Sequence, residues 1–316
     1  MILLCRAVHA SKTKVTVGLT RALLLAYLLL LTVYVSRAEG LVSKRFRFDE
    51  QWQCPTLYPT LFCEDIKDLK IVSWIAQGTV KNVYLARWHD YPVVLSNLTV
   101  EAYREDFQHN VAMHHLLDYG QYTVRMLGHC GDQIVTEFHP LGNLMQAIPL
   151  LGDVLEVRFP LCIRYTEILV FLHQHGRVMC DSSTLEKTLE QYLVATSGSS
   201  IILNDLDALP RKELGVVRCG KHMLDGAFVA PEQRWEVGYR KGYNEKADVY
   251  KIPDVCNFIL GESEESLWFR YWLFDIHKQC KVQDASIRPS AKDVLKMYRR
   301  IWREYQTDTG VDYDDL

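Results

Sequence analysis

Apolar positions come first as one long run. Ala22 to Ser36 reads ALLLAYLLLLTVYVS without a charge. With Arg21 turned toward the headgroups, residues 17–36 supply the ~20 residues needed to cross ~30 Å of hydrocarbon, which predicts a transmembrane signal-anchor after a cytoplasmic stretch at 1–16. A signal peptide cut within SRAEG is the competing reading. Basic residues are balanced about the run (Arg6, Lys12, Lys14 and Arg21 before, Arg37, Lys44, Arg45 and Arg47 after), so charge alone does not orient it. With nothing foldable ahead of the span, the remainder is expected to be luminal.

Residues 37–67 read as an aromatic-rich stem in which Cys54 and Cys63 bracket PTLYPTLF, a local disulfide or a pair of reduced thiols. From 68 the pattern alternates. LKIVSWIA, VKNVYLARW and YPVVLSNL are short β-branched runs punctuated by Gly78 and by His89-Asp90, as in an antiparallel meander. A helix is expected over AYREDFQHNVAMHHLLDYG, with Phe107, Val111, Leu116 and Leu117 on its apolar face and Gly120 as its stop. Two more strands, TVRMLGHC and QIVTEFHP, follow. After Gly142 the period becomes helical: Leu161, Tyr165, Ile168, Leu169 and Leu172 form one stripe, and further helices are expected around DVYKIPDVCNFIL, SLWFRYWLFDIHKQC and SAKDVLKMYRRIWREY. The predicted class is α+β and bilobal, a small β-rich N-lobe and a larger helical C-lobe over 68–305, preceded by one transmembrane helix and followed by an acidic tail at 306–316.

Composition narrows the function. With 48% hydrophobic and 24% charged residues the chain can bury a core, which excludes collagen-like, disordered and multi-span classes. A net charge of −3 provides no field for a phosphate backbone, so no nucleic-acid partner is expected. Nine cysteines without a CxxC pair argue against zinc ribbons and thioredoxin chemistry. Asn97-Leu98-Thr99 is a glycosylation sequon, which makes Asn97 a modification candidate. His114 and His115, adjacent on a helix, face different directions and make a poor metal site. Trp268 and Trp272, at i,i+4, are read as core packing rather than as a sugar platform.

Five motifs then occur in one order. They are IVTEFHPLGNL (134–144), FLHQHG ahead of VMCD (178–181), Ala230-Pro231-Glu232, ADVYKIPD with Asp248, and SIRPSAKDVL with Arg288. Together they resemble the protein-kinase fold, as hinge, catalytic loop, APE motif, loop anchor and the arginine that pairs with the APE glutamate, here Glu232. VMCDSSTLEKTLEQYL, NDLDALP, FVAPEQ and LFDIHKQCK are more specifically similar to the O-mannose kinase branch of that fold. The resemblance implies an enzyme of the endoplasmic reticulum, membrane-anchored as a single-pass type II protein. It would use ATP with Mg²⁺ or Mn²⁺ to phosphorylate the 6-hydroxyl of mannose in a GalNAc-β3-GlcNAc-β4-mannose trisaccharide on a dystroglycan-type glycoprotein.

Carried over position by position, the resemblance makes Asp181 the catalytic base and Asp205 a Mg²⁺ ligand, with Gln191 as a second metal ligand if SSTLEKTLEQYL loops out extra residues. Asp207 is either a further metal ligand or an Asx-type turn residue. Gly78, Lys81, Glu137, Phe138 and His139 are nucleotide-contact candidates. The departures matter as much. One glycine of three remains in the phosphate loop, Ser96 stands where the β3 lysine belongs, and Asn110 falls near the αC glutamate, with Glu105 and Asp106 a turn earlier. Lys81, one strand over, is the expected replacement cation. Met179-Cys180 replaces His-Arg, which removes the usual receptor for a phosphorylated activation loop. Ser183 stands where serine/threonine kinases place a lysine. Two other readings stay open: an inactive kinase-like scaffold that binds a glycan or partner, and a secretory-pathway protein kinase.

Overall fold

The computed structural model describes residues 60–117, 121–195, 197–219, 224–234 and 242–309. Its N-terminal part is a five-stranded antiparallel sheet of order β1-β2-β3-β5-β4, built from β1 (Lys70–Gln77), β2 (Lys81–Trp88), β3 (Tyr91–Leu98), β4 (Met126–Cys130) and β5 (Gln133–Glu137). The meander forms because β-branched residues alternate faces and the His89-Asp90 turn is tight, with His89 at φ 53°. On β3, Val93 and Leu95 point into the lobe's core. Register pairs Lys81 with Leu98 and Val83 with Ser96, so these four side chains share one face of the sheet.

A short helix α1 (Cys63–Lys67) precedes the sheet and docks on β4, where the Leu61 N–H donates to Leu127 O at 2.7 Å. The approach is close enough that a Cβ on Gly128 would lie 2.4 Å from Leu61 O, so glycine is required there. Cys63 is disulfide-bonded to Cys130. That corrects the expected Cys54–Cys63 pair: Cys54 lies outside the described residues, and docking on β4 brings Cys63 to a partner 67 residues away. The compact unit accordingly begins at Pro59, ahead of the boundary read at 68. Closing a loop of this length contributes on the order of 4 kcal/mol in the chain-entropy account. Cys63→Ser with Cys130→Ser is therefore expected to lower the urea midpoint below that of the oxidised wild type; equal midpoints would refute the contribution.

Helix α2 (Arg104–Leu116) comes between β3 and β4 in the chain. Its buried face runs through Phe107, Asn110, Met113 and His114, with Leu117 just beyond, whereas Leu116 is exposed. The apolar pattern identified the helix but not the polar half of its inner face.

The C-lobe is organised around α4 (Leu155–Gln174), which follows a short α3 (Leu144–Ala147). The stripe Leu161, Tyr165, Ile168, Leu169 and Leu172 is fully buried, one residue per turn or so against α6 (Lys246–Leu260) and α8 (Ala291–Thr309). Between α4 and α6 the chain forms α5 (Leu185–Glu190) and a two-stranded ribbon, β6 (Tyr192–Val194) with β7 (Ile201–Leu203). Helix α7 (Glu264–Cys280) packs its Phe269, Leu273 and Ile276 inward. Trp268, at 65% exposure, and the partly exposed Trp272 lie on its outer side, contrary to the core packing expected of them.

The transmembrane part of the expected fold class is corrected. No helix among the described residues is long and apolar enough to cross a membrane. The 20-residue α4 carries Glu156, Arg158, Arg164 and Glu167 and directs its apolar stripe into the protein core. Residues 17–36, on which the signal-anchor was read, lie outside the described residues. The single-pass type II placement in the endoplasmic reticulum membrane is therefore not supported and is withdrawn.

Candidate active site

The candidate residues meet where the sheet approaches the β6–β7 ribbon and the segment that follows it. The β1–β2 turn is pinned by the Gly78 N–H donating to Lys81 O at 2.8 Å and by the Thr99 hydroxyl on Thr79 O at 2.6 Å. Lys81 then opens β2 and reaches down to the Asn204-Asp205-Leu206-Asp207 segment that follows β7. Its Nζ donates to Asp205 Oδ1 at 2.7 Å and lies 3.5 Å from Asp207 Oδ2. Burial disfavours the ammonium, but the two carboxylates outweigh it and hold Lys81 above its ordinary value. Burial likewise pushes Asp205 up, and the Lys81 charge reverses this and holds the carboxyl below its ordinary value. Asp207, buried and facing the Asp205 carboxylate, is pushed up to about 7 despite the lysine.

Among the described residues, no carboxylate on a helix is paired with Lys81. Glu105 and Asp106 are exposed on α2, while buried Asn110 leaves its Nδ2 without a hydrogen-bond partner. His114, one turn on, is pushed down to about 3 by burial and by the Lys81 charge, so it is neutral. Ser96 is buried and uncharged on the same sheet face as Lys81.

Glu137 closes β5, and Phe138 and His139 follow it toward the helical part. Glu137 Oε1 accepts from the Arg125 N–H at 3.0 Å. The buried His139 ring lies 3.2 Å from the same oxygen, off the line of a hydrogen bond, and neither ring nitrogen has a hydrogen-bond partner.

Asp181 sits in the loop after α4, and three contacts set that loop. The Met179 N–H donates to Asp248 Oδ2 at 3.2 Å, and His173 Nε2 is 3.0 Å from the same oxygen. Buried Lys251 donates to Ser182 Oγ at 2.6 Å, its amine pushed down to about 8 by burial. Gln191, where α5 ends, donates its amide to Asp181 O. The Gln191 Oε1 is left buried and without a partner. An orphaned amide oxygen beside the Asp205 carboxylate segment, tied to it by the Asn204 N–H on Gln191 O at 2.8 Å, is the donor chemistry that a hard divalent cation takes. The residues present therefore fit a Mg²⁺-type ion.

Sequence reasoning missed two contacts here. Lys187 Nζ pairs with Asp181 Oδ1. Cys180, next to Asp181, is disulfide-bonded to Cys219. The bond ties the catalytic-loop segment to the segment before Ala230-Pro231-Glu232, at the point where the sequence lacks the phosphate-receiving arginine. The only signal for it was that Cys180 occupies that position. Glu232 is held as a fork by Arg288, with nitrogen–oxygen distances of 2.6 and 2.8 Å. Asn97 lies within β3, its Oδ1 accepting from Gln133 Nε2 at 3.3 Å, and the Thr99 hydroxyl of the sequon is taken up by the β1–β2 turn.

No protein-family model matches the chain. Among curated proteins it is similar to the protein O-mannose kinase of Macaca fascicularis, 38% identical over 88% of this chain and 86% of that one. It is also similar to that of Homo sapiens, 40% identical over 81% of this chain and 79% of the relative. The Gallus gallus protein O-mannose kinase is 41% identical over 77% and 75% respectively. At this identity, over this share of both partners, and with a lysine, two aspartates and an amide converging in one cleft, the chain belongs to the protein O-mannose kinase family.

Proposed function

We propose that this protein transfers the γ-phosphoryl group of ATP to the 6-hydroxyl of an O-linked mannose, the acceptor being a GalNAc-β3-GlcNAc-β4-mannose glycan on a dystroglycan-type glycoprotein. The observation that carries the reading is the Lys81–Asp205–Asp207 cluster. A binding scaffold has no use for a half-buried lysine against two carboxylates near an orphaned amide oxygen, whereas a triphosphate site needs a cation and metal-binding oxygens within one volume.

In this reading the mannose hydroxyl donates a hydrogen bond to Asp181, which aims its oxygen at the γ-phosphorus. As the new oxygen–phosphorus bond forms, the bond to the β-phosphate oxygen breaks and its electron pair leaves with ADP, while the hydroxyl proton passes to Asp181. Lys81 neutralises the phosphates from above, and Glu137, Phe138 and His139 border the nucleoside end of the cleft. Asp205 and Gln191 would hold a divalent ion, which when bound supplies charge neutralisation at the β- and γ-oxygens.

The test is to supply the chain with labelled ATP and Mg²⁺ and, in parallel, the mannose trisaccharide, simple mannosides and a peptide library. Label is expected on the extended mannose glycan and not on peptide hydroxyls. Equal labelling of peptides would overturn the sugar acceptor while leaving phosphotransfer standing.

A further inference from the structure

Lys187 has no part in the reading above, yet its ammonium sits on the proposed base. The placement is built from the backbone outward. Thr184 caps α5, its Oγ1 accepting from the Lys187 N–H at 3.2 Å, and the Thr188 hydroxyl donates to Thr184 O at 2.8 Å. At its other end the helix is tied to both reacting segments, through Gln191 to Asp181 O and through the Asn204 N–H to Gln191 O. Helix α5 is thus a short platform spanning the loop of Asp181 and the segment of Asp205, and Lys187 projects from it onto Asp181 Oδ1. The position two residues after the base, Ser183, carries no charge.

We propose that Lys187 is a further catalytic residue, a second cation that contacts the transferring phosphoryl group. The proposal rests on the phosphotransfer reading and deepens it. The argument is one of competition for an oxygen. While the cleft is empty, the ammonium satisfies Asp181. An acceptor hydroxyl needs that carboxylate, with its oxygen ~2.7 Å from Asp181 and the attacked phosphorus ~3–3.5 Å further on. The γ-phosphate therefore arrives ~6 Å from the atom that Lys187 holds. Lys187 is 49% exposed and Asp181 33%, so the four-carbon stem is free to swing over that distance. Its new anion is the phosphoryl group, whose oxygens carry the charge of the transition state. Lys81 approaches the phosphates from the sheet and Lys187 from the helical lobe, so the two cations flank the bond that breaks and the bond that forms. An ordinary exposed ion pair would contribute little to stability and nothing to turnover.

The experiment compares Lys187→Ala, Lys187→Arg and wild type in steady-state transfer to the mannose glycan, with thermal stability and two affinities, for Mg·ADP and for Mg·ADP with aluminium fluoride as the phosphoryl mimic. Lys187→Ala is expected to lower kcat at least tenfold and weaken binding of the fluoride complex by a similar factor, with Tm and ADP affinity unchanged; Lys187→Arg recovers part of kcat. An active wild type with an unaffected Lys187→Ala overturns the role of Lys187 and leaves phosphotransfer intact. A kcat loss that tracks loss of Tm or of ADP affinity also overturns it, as a merely structural effect. Wild type that transfers no phosphoryl to any acceptor overturns the phosphotransfer reading, and the role of Lys187 with it.

Discussion

Lys81→Ala is expected to lower kcat/KM by on the order of 10²-fold or more, a few kcal/mol of transition-state stabilisation, whereas Ser96→Ala leaves it within about twofold. The asymmetry follows from the sheet. Lys81 and Ser96 lie diagonally across β2 and β3 on one face, since Lys81 pairs with Leu98 and Val83 with Ser96. Diagonal neighbours are separated by ~7–8 Å, so a lysine at either position reaches the same volume. Only Lys81 carries a charge there, and it is half-buried against Asp205 and Asp207. Removing it leaves two half-buried carboxylates facing a triphosphate with no cation of the N-lobe between them. Initial rates measured beside thermal stability separate this from unfolding, and the double change Lys81→Gly with Ser96→Lys is expected to restore part of the rate. Wild-type turnover in a folded Lys81→Ala protein would show that the phosphates are neutralised elsewhere and would favour a binding role for the cleft.

Asp181→Asn is expected to cut kcat by about 10²- to 10⁴-fold, the range for losing a positioned general base, with nucleotide affinity within about twofold. The change keeps the shape of the side chain, and the loop is set by groups that it does not touch: Met179 on Asp248, Lys251 on Ser182, and Gln191 on the Asp181 carbonyl. What is lost is the acceptor for the hydroxyl proton. Asp205→Asn is the contrast, because Asp205 belongs with the phosphates. It is expected to weaken the Mg²⁺-dependent part of nucleotide binding as well as turnover. Binding isotherms at varied Mg²⁺ beside steady-state rates distinguish the two. A full kcat in Asp181→Asn would remove Asp181 from the role of base.

Much of the fold was legible because it is local. Period-two runs became β1 to β3, and the stripe from Leu161 to Leu172 became the buried face of α4, since a side chain's face is set by its own helix or strand. The Glu232–Arg288 pair was legible for another reason, the order of motifs. Partners set by the closing of the chain were not legible. Cys63 looked paired to the nearest cysteine upstream, yet it joins Cys130 across the α1–β4 contact. Trp268 and Trp272 had core spacing, yet α7 turns Phe269 and Leu273 inward instead.

The candidate site divides in the same way. The sequence alone singled out the candidates for the chemistry, Lys81, Asp181, Gln191 and Asp205, and put the uncharged Ser96 where the resemblance expects a cation. Residue type and order carry that information without coordinates. Tertiary structure decided what each one touches. Lys81 takes its counter-charge from Asp205, 124 residues away, and not from Glu105 or Asp106 on α2. Cys180 finds Cys219, and Lys187 finds Asp181 across a helical turn that no periodicity marked. A buried charge must be paired wherever the fold allows, and the pairing depends on how sheet, ribbon and helices close on one another, a property of the whole chain that no local window contains.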